Sequence, residues 1–257
     1  ESTPYPKRYR LQSCGFSAVS SIESLPLKAI KTLLPCQQAV VVAPHPDDET
    51  LGCGGAIALL RQHNISVQVL VMSDGTQSHP QSARFPADQL RQLREAETYA
   101  ALEVLGVPAQ GVTFFRWPDT AVPQPGDQRF PKAVEQCDRF FCDHRPDLVF
   151  LPWQQDQHCD HQATWKIVHH CLRCWPQPPR QLVYSIWGSR AAGLSSLPKG
   201  ESGWRLNISS VQSLKHKAAM AHQSQTTDLI DDDPTGFRLT PDMRNNLIQS
   251  WETYLEV

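Results

Sequence analysis

The stretch PHPDDE at residues 44–49 places His45, Asp47 and Asp48 within four positions, directly after the apolar run VVVA. Three ionisable groups crowded beside a core element need a partner of opposite charge. A second set stands far downstream, where DLVFLPW (147–153) is followed by QQDQHCDH, carrying Asp156, His158, Asp160 and His161. Imidazoles and carboxylates are the ligands of a catalytic zinc ion, which takes three protein ligands, leaves a fourth position for water and lowers that water's pKa to about 7. His45, Asp48 and His161 make such a set, and the neighbouring Asp47 stands where a general base is needed. Taken singly, Asp47 and Asp48 also suit a helix N-cap and first turn, and His158 and His161 an exposed loop. The recurrence of the pattern after two separate strands favours the metal.

The elements that must position these residues alternate along the chain. QAVVVA (38–43), ISVQVLVMS (65–73), VTFFRW (112–117), DLVFLPW (147–153) and QLVYSIW (181–187) predict strands, rich in β-branched and aromatic residues. Helices are expected over 50–63, 87–105, 132–144 and 160–173, with loops at 74–86, 117–131, 188–203 and 226–240. The alternation predicts an α/β three-layer sandwich, its mostly parallel, Rossmann-like sheet flanked by helices. Ligands of such sheets sit beyond the carboxyl ends of the strands, so both His/Asp sets are expected to face one pocket. GCGGAI (52–57) opens the helix after the first set, with glycines that permit close packing. No internal repeat or linker divides the chain, and one domain over residues 1–257 is expected, its motif-bearing core at about 38–225.

Composition removes several classes of partner. The 257 residues carry a formal charge of −2 with a sequence pI near 6.6, and Lys and Arg are dispersed, which argues against nucleic acid and membrane surfaces. No run of about 18 apolar residues is present to span a bilayer. The eight cysteines are scattered through apolar and helical stretches, the pattern of reduced thiols in a cytoplasmic protein. Cys171-Leu-Arg-Cys174 is the one CxxC, without the second pair that a zinc ribbon needs. The start at Glu1 rather than at a methionine implies a trimmed chain or a removed leader.

Together, PHPDDE (44–49) and HCDH (158–161) resemble the PIG-L/LmbE-type zinc-dependent N-acetylglucosaminyl deacetylase family. Arg94-Glu-Ala-Glu97 resembles that family's R-x-x-E helix, Trp117-Pro-Asp119 its Asp after a strand, and KHKAAMAHQSQ (215–225) its C-terminal helix. The resemblance implies one zinc ion per chain, or another divalent ion, on His45, Asp48 and His161, with Asp47 as base. It also implies that His158 polarises the acetyl carbonyl or stabilises the oxyanion, that Asp160 holds a histidine tautomer from behind, and that Arg94 binds sugar hydroxyls. Two stretches depart from the pattern. Ser73-Asp-Gly75-Thr76 stands where relatives often have T-x-G-E, and YSIWGSR (184–190) lacks the acid that many place after the Tyr.

The implied activity is hydrolysis of the N-acetyl group of an N-acetylglucosamine-type amino sugar, releasing acetate. The expected partner is a small-molecule or glycoconjugate substrate, the sugar being carried on a larger glycoside. Phe85, Trp117, Trp153 and Trp187, in or beside the loops, are candidates to stack on a sugar ring. Two other readings keep the site: amide or ester hydrolysis on a non-sugar substrate, and a sugar-binding module without turnover. The spare carboxylate of Asp47 speaks against the last.

Overall fold

The apolar runs of the sequence become neighbouring strands of one sheet. In a computed structural model, described over residues 22–187 and 202–256, the chain runs β1 (Leu27–Lys28), β2 (Gln38–Ala43), α1 (Asp48–Gln62), β3 (Ser66–Ser73), α2 (Ala87–Val104), β4 (Val112–Trp117), α3 (Phe130–His144), β5 (Leu148–Pro152), α4 (Cys159–Leu172), β6 (Arg180–Tyr184), β7 (Gly203–Asn207), α5 (Gln212–Ala221), α6 (Gln223–Thr226), α7 (Pro241–Leu247) and β8 (Trp251–Glu256). The expected strands and helices recur with ends shifted by three residues at most. The expected loop at 188–203 lies, except for its last two residues, outside the described part.

The strand order is β1-β7-β8-β6-β5-β2-β3-β4. Strands β2 to β6 are parallel throughout, as crossover helices require. Only β8 runs against its neighbours, β6 and β7. From β2 the chain moves outward to β3 and β4, while β5 returns to the other side of β2. The carboxyl ends of β2 and β5 therefore flank a topological switch point, where helices on opposite faces diverge and leave a crevice. The two His/Asp sets are the residues that follow these two strands.

Alternation along β2 sends Ala39, Val41 and Ala43 into one core layer, with Leu51 and Ile57 of α1, Leu102 of α2 and Ala218 of α5. Val40 and Val42 enter the other, with Phe141 of α3 and Ile167 of α4. Helix α1 packs so tightly that a Cβ on Gly52 would overlap the Tyr184 ring and one on Gly55 would stand 2.5 Å from Ile208 Cδ1. Strand β8 has a further part in placing α1. The Gly55 and Ala56 N–H groups donate to the Glu252 carboxylate at 2.7 and 2.8 Å, and Lys215 donates to it at 2.7 Å. Among the described residues, no helix is long and apolar enough to cross a membrane.

Candidate active site

The turn after β2 is built around an unusual backbone. Asp47 has φ 138 and ψ −27, outside the regions open to residues with a Cβ, a conformation that costs of order 1–3 kcal/mol and persists only where its surroundings enforce it. Its N–H donates to Glu49 Oε2 at 3.0 Å, and its carbonyl accepts from the N–H groups of Thr50 and Leu51 at 3.0 and 2.9 Å. Arg94 of α2 donates to the carbonyls of Pro46 and Gly75 at 2.6 and 2.8 Å. The same guanidinium lies 3.3 Å from Asp47 Oδ2.

The turn after β5 is ordinary in shape. His158 is the N-cap of α4, and its Nδ1 accepts from the Asp160 N–H at 3.2 Å. That bond leaves the neutral ring's hydrogen on Nε2. His161, one helical turn further on, meets the first turn: Asp48 Oδ2 stands 3.1 Å from both His45 Nδ1 and His161 Nε2. Two donors on one tetrahedral zinc ion, each about 2.0–2.1 Å from it, stand roughly 3.3 Å apart. The His161 ring is fully buried, and the carboxylates of Asp48 and Asp156, 3.1 and 3.4 Å from its nitrogens, are not aligned for hydrogen bonds to them. An imidazole buried in this way is costly, and a metal ion would satisfy it. Two nitrogens and one carboxylate are a donor set suited to zinc. His45, His158 and His161 also bring ring nitrogens within 4.8 Å of one another.

Carboxylates back both imidazoles. Asp160 Oδ2 and Asp119 Oδ1 stand 3.2 and 3.3 Å from His45 Nε2. Asp160 is itself held by the N–H groups of Thr120 and Val122 at 2.7 and 3.2 Å. Asp156 lies 3.4 Å from His161 Nδ1 and accepts from the N–H groups of His158 and Trp187. Asp119 arrives through a register shift between β3 and β4, with Arg116 at φ 55; such bulges re-aim the chain beside functional sites.

The charges follow from this crowding. Burial disfavours charge on Asp48, yet His161 and His45 hold its carboxyl well below the usual range. Burial likewise opposes charge on His161, but Asp156 and Asp48 raise it to about 10. For Asp47 burial dominates and lifts the carboxyl to about 7, against the opposing pull of Arg94. Burial, with the charges of His45 and His161, lowers His158 to about 4. The ring environment of His45 and His161 thus draws in positive charge, while His158 is kept neutral.

A narrow cleft opens onto these groups, lined by His45, Asp47, Asp48, Leu51, Arg94, His158, Trp187, Gln225 and Phe237. All three expected metal ligands, together with Asp47, His158 and Asp160, are brought into one cluster. His161 and Asp160 stand behind the wall of the cleft. Arg94 reaches the cleft, but two of its nitrogens are engaged by backbone carbonyls and Asp47. Of the four aromatic candidates, Trp187 alone lines the cleft; Trp153 belongs to the core beside α4, Trp117 borders a separate groove and Phe85 is half-buried outside both. Sequence reasoning missed Phe237, which packs edge-on to Trp187 with ring centres 5.4 Å apart. No local signal in 226–240 marks it. Asp119 was legible as a residue, but not as a partner of His45.

The family model described as PIG-L, GlcNAc-PI de-N-acetylase, matches residues 40–172. The chain is 27% identical over 200 residues to the probable N-acetyl-alpha-D-glucosaminyl L-malate deacetylase 2 of Bacillus subtilis, covering 76% of this chain and 86% of that protein. It is 30% identical over 159 residues to the 1D-myo-inositol 2-acetamido-2-deoxy-alpha-D-glucopyranoside deacetylase of Corynebacterium glutamicum, covering 54% of each chain, so it spans about half the length of that relative. Among solved structures, the N,N'-diacetylchitobiose deacetylase of Pyrococcus horikoshii shares the fold, with a TM-score of 0.60 at 20% identity over 77% of this chain and 74% of the other.

Proposed function

The chain belongs to the PIG-L family of de-N-acetylases, and on that premise we propose that it hydrolyses the N-acetyl group of an N-acetylglucosamine unit carried on a larger glycoside or glycoconjugate, using one divalent ion, zinc above others. The observation that carries the reading is the convergence of His45, Asp48 and His161 within 3.1 Å steps beside a buried Asp47 at the cleft wall. His45, Asp48 and His161 would hold the ion. When bound, it supplies Lewis acidity, polarising a carbonyl oxygen and making water acidic near neutral pH.

The remaining steps belong to side chains. Asp47, facing the cleft, takes the proton from the attacking water as the C–O bond forms, and that proton then passes to the amine nitrogen as the C–N bond breaks. His158, neutral and with its hydrogen on Nε2, donates a hydrogen bond to the oxygen on which negative charge develops. Asp160 and Asp119 hold the His45 ring, and Asp156 that of His161, in the orientation that ligation needs. Trp187 and Phe237 offer an apolar wall against which a sugar face packs. The names of the two relatives, both deacetylases of N-acetylated glucosamine units joined to a further group, support the substrate class.

The test is acetate release from free N-acetylglucosamine and from its glycosides, before and after metal removal and on zinc restoration. The expected result is zinc-dependent turnover with a higher kcat/KM for the glycosides, because contacts beyond the sugar contribute to transition-state binding. Equal values would assign the free monosaccharide as substrate, and turnover independent of metal would remove the metal from the mechanism.

A further inference from the structure

Beneath the strained turn lies a buried polar group that the reaction described above does not use. His222, at the junction of α5 and α6, is 1% exposed. Its Nε2 stands 3.3 Å from Glu49 Oε1 and 3.2 Å from Thr50 Oγ1. The Thr50 hydroxyl donates to Glu49 Oε1 at 2.8 Å, so both neighbours of Nε2 accept and the ring's hydrogen is on that nitrogen. The other carboxylate oxygen, Oε2, accepts the N–H of Asp47. Glu49 is fully buried, and its two oxygens thus join His222 to the backbone of the one residue in the cleft with a forbidden φ. His222 is fixed in its turn from the chain beyond it. The Ser224 N–H and hydroxyl donate to Glu97 of α2 at 2.7 and 2.6 Å, on the helix that also presents Arg94.

A strained backbone of this kind persists only where its surroundings hold it; the backbone of α1 holds only the Asp47 carbonyl, through the N–H groups of Thr50 and Leu51, and the Asp47 N–H is left to the Glu49 side chain. We propose that Glu49 and His222 are positioning residues for Asp47: they keep its N–H turned inward, and so aim its carboxylate at the cleft. The inference rests on the reading of Asp47 as the base, and adds that the C-terminal helices, through His222, set the geometry of the first turn. A carboxylate misplaced by about an ångström loses of order 10²-fold in rate.

The test is a double-mutant cycle on the zinc-loaded protein, with kcat, KM and bound zinc measured for each form. His222→Ala is expected to lower kcat by about 10²-fold, with KM changed less than about threefold and zinc still stoichiometric. His222→Gln, which returns an N–H near the position of Nε2, is expected to recover most of the loss, and Glu49→Gln, which keeps an acceptor for the Asp47 N–H, to lose less than Glu49→Ala. In an Asp47→Asn background, His222→Ala is expected to change kcat by less than about threefold, since there is no base left to aim. Equal losses in both backgrounds, unchanged kcat for His222→Ala in the wild-type background, or loss of zinc as the cause would overturn the proposal. Asp47→Asn alone with undiminished kcat would overturn the reading of Asp47 instead, so the two failures are told apart. Should His222→Ala not fold, the Gln variants at both positions carry the comparison.

Discussion

At the end of β2 the chain turns through Asp47 at φ 138, whereas at the end of β5 it enters α4 through His158 at φ −84 and ψ 131, a relaxed N-cap. Both turns bear acids and histidines, both sit at the same switch point, and both contribute to one cluster. The difference lies in what each must aim. His161 is one helical turn inside α4 and reaches Asp48 from regular geometry, because a helix already carries its i+3 neighbour to the same side as its cap. The first turn must send Asp48 toward the histidines and Asp47, the residue before it, into the cleft. Adjacent residues at the start of a helix do not share a face, and backbone strain is the means of serving both.

That contrast can be broken at four depths. Removing the junction has the largest effect: chelation, or His161→Ala, is expected to abolish acetate release together with stoichiometric zinc, as metal analysis and an activity assay would show. Next comes the acid of the strained turn. Asp47→Asn is expected to retain zinc and lower kcat by about 10²- to 10⁴-fold; loss of zinc instead would mean that Asp47 and Asp48 have exchanged roles. On the relaxed side, Asp156→Asn is expected to weaken metal binding by about 10- to 100-fold, read by competition with a chromophoric chelator, while the fold persists. The smallest effect isolates the strain itself. Asp47→Gly is expected to be more stable than Asp47→Ala by about 1 kcal/mol in denaturant unfolding, and equal stabilities would show that the turn stores no strain.

Much of this architecture was legible beforehand. QAVVVA is β2 to the residue, and the helix expected at 87–105 is α2 with one residue less, because β-branched runs and long amphipathic stretches carry their period in the sequence. WETYLE, β8, went unread in a segment without a partner in sequence, since its place between β7 and β6 comes from long-range pairing. At the site, residue types identified His45, Asp48 and His161 as a donor set. Arg94 was legible as a site residue through the resemblance, which implies a role toward sugar hydroxyls, and it lines the cleft; what no local signal carried is that two of its nitrogens donate to the carbonyls of Pro46 and Gly75.

Local pattern and side-chain chemistry by themselves determined the α/β class, the parallel order of crossover units, and a set of His and Asp donors at two strand ends. These follow from hydrophobic period and from which atoms can bind a cation, properties that each segment holds alone. Tertiary structure decided which carboxylate backs which imidazole: Asp160 and Asp119 stand behind His45, and Asp156 behind His161. It also decided the backbone of Asp47, its link through Glu49 to His222, and the seat of Glu252 under α1. Each of these is a contact between segments distant in sequence, or a strain such contacts enforce, and neither leaves a trace in the local order of residues.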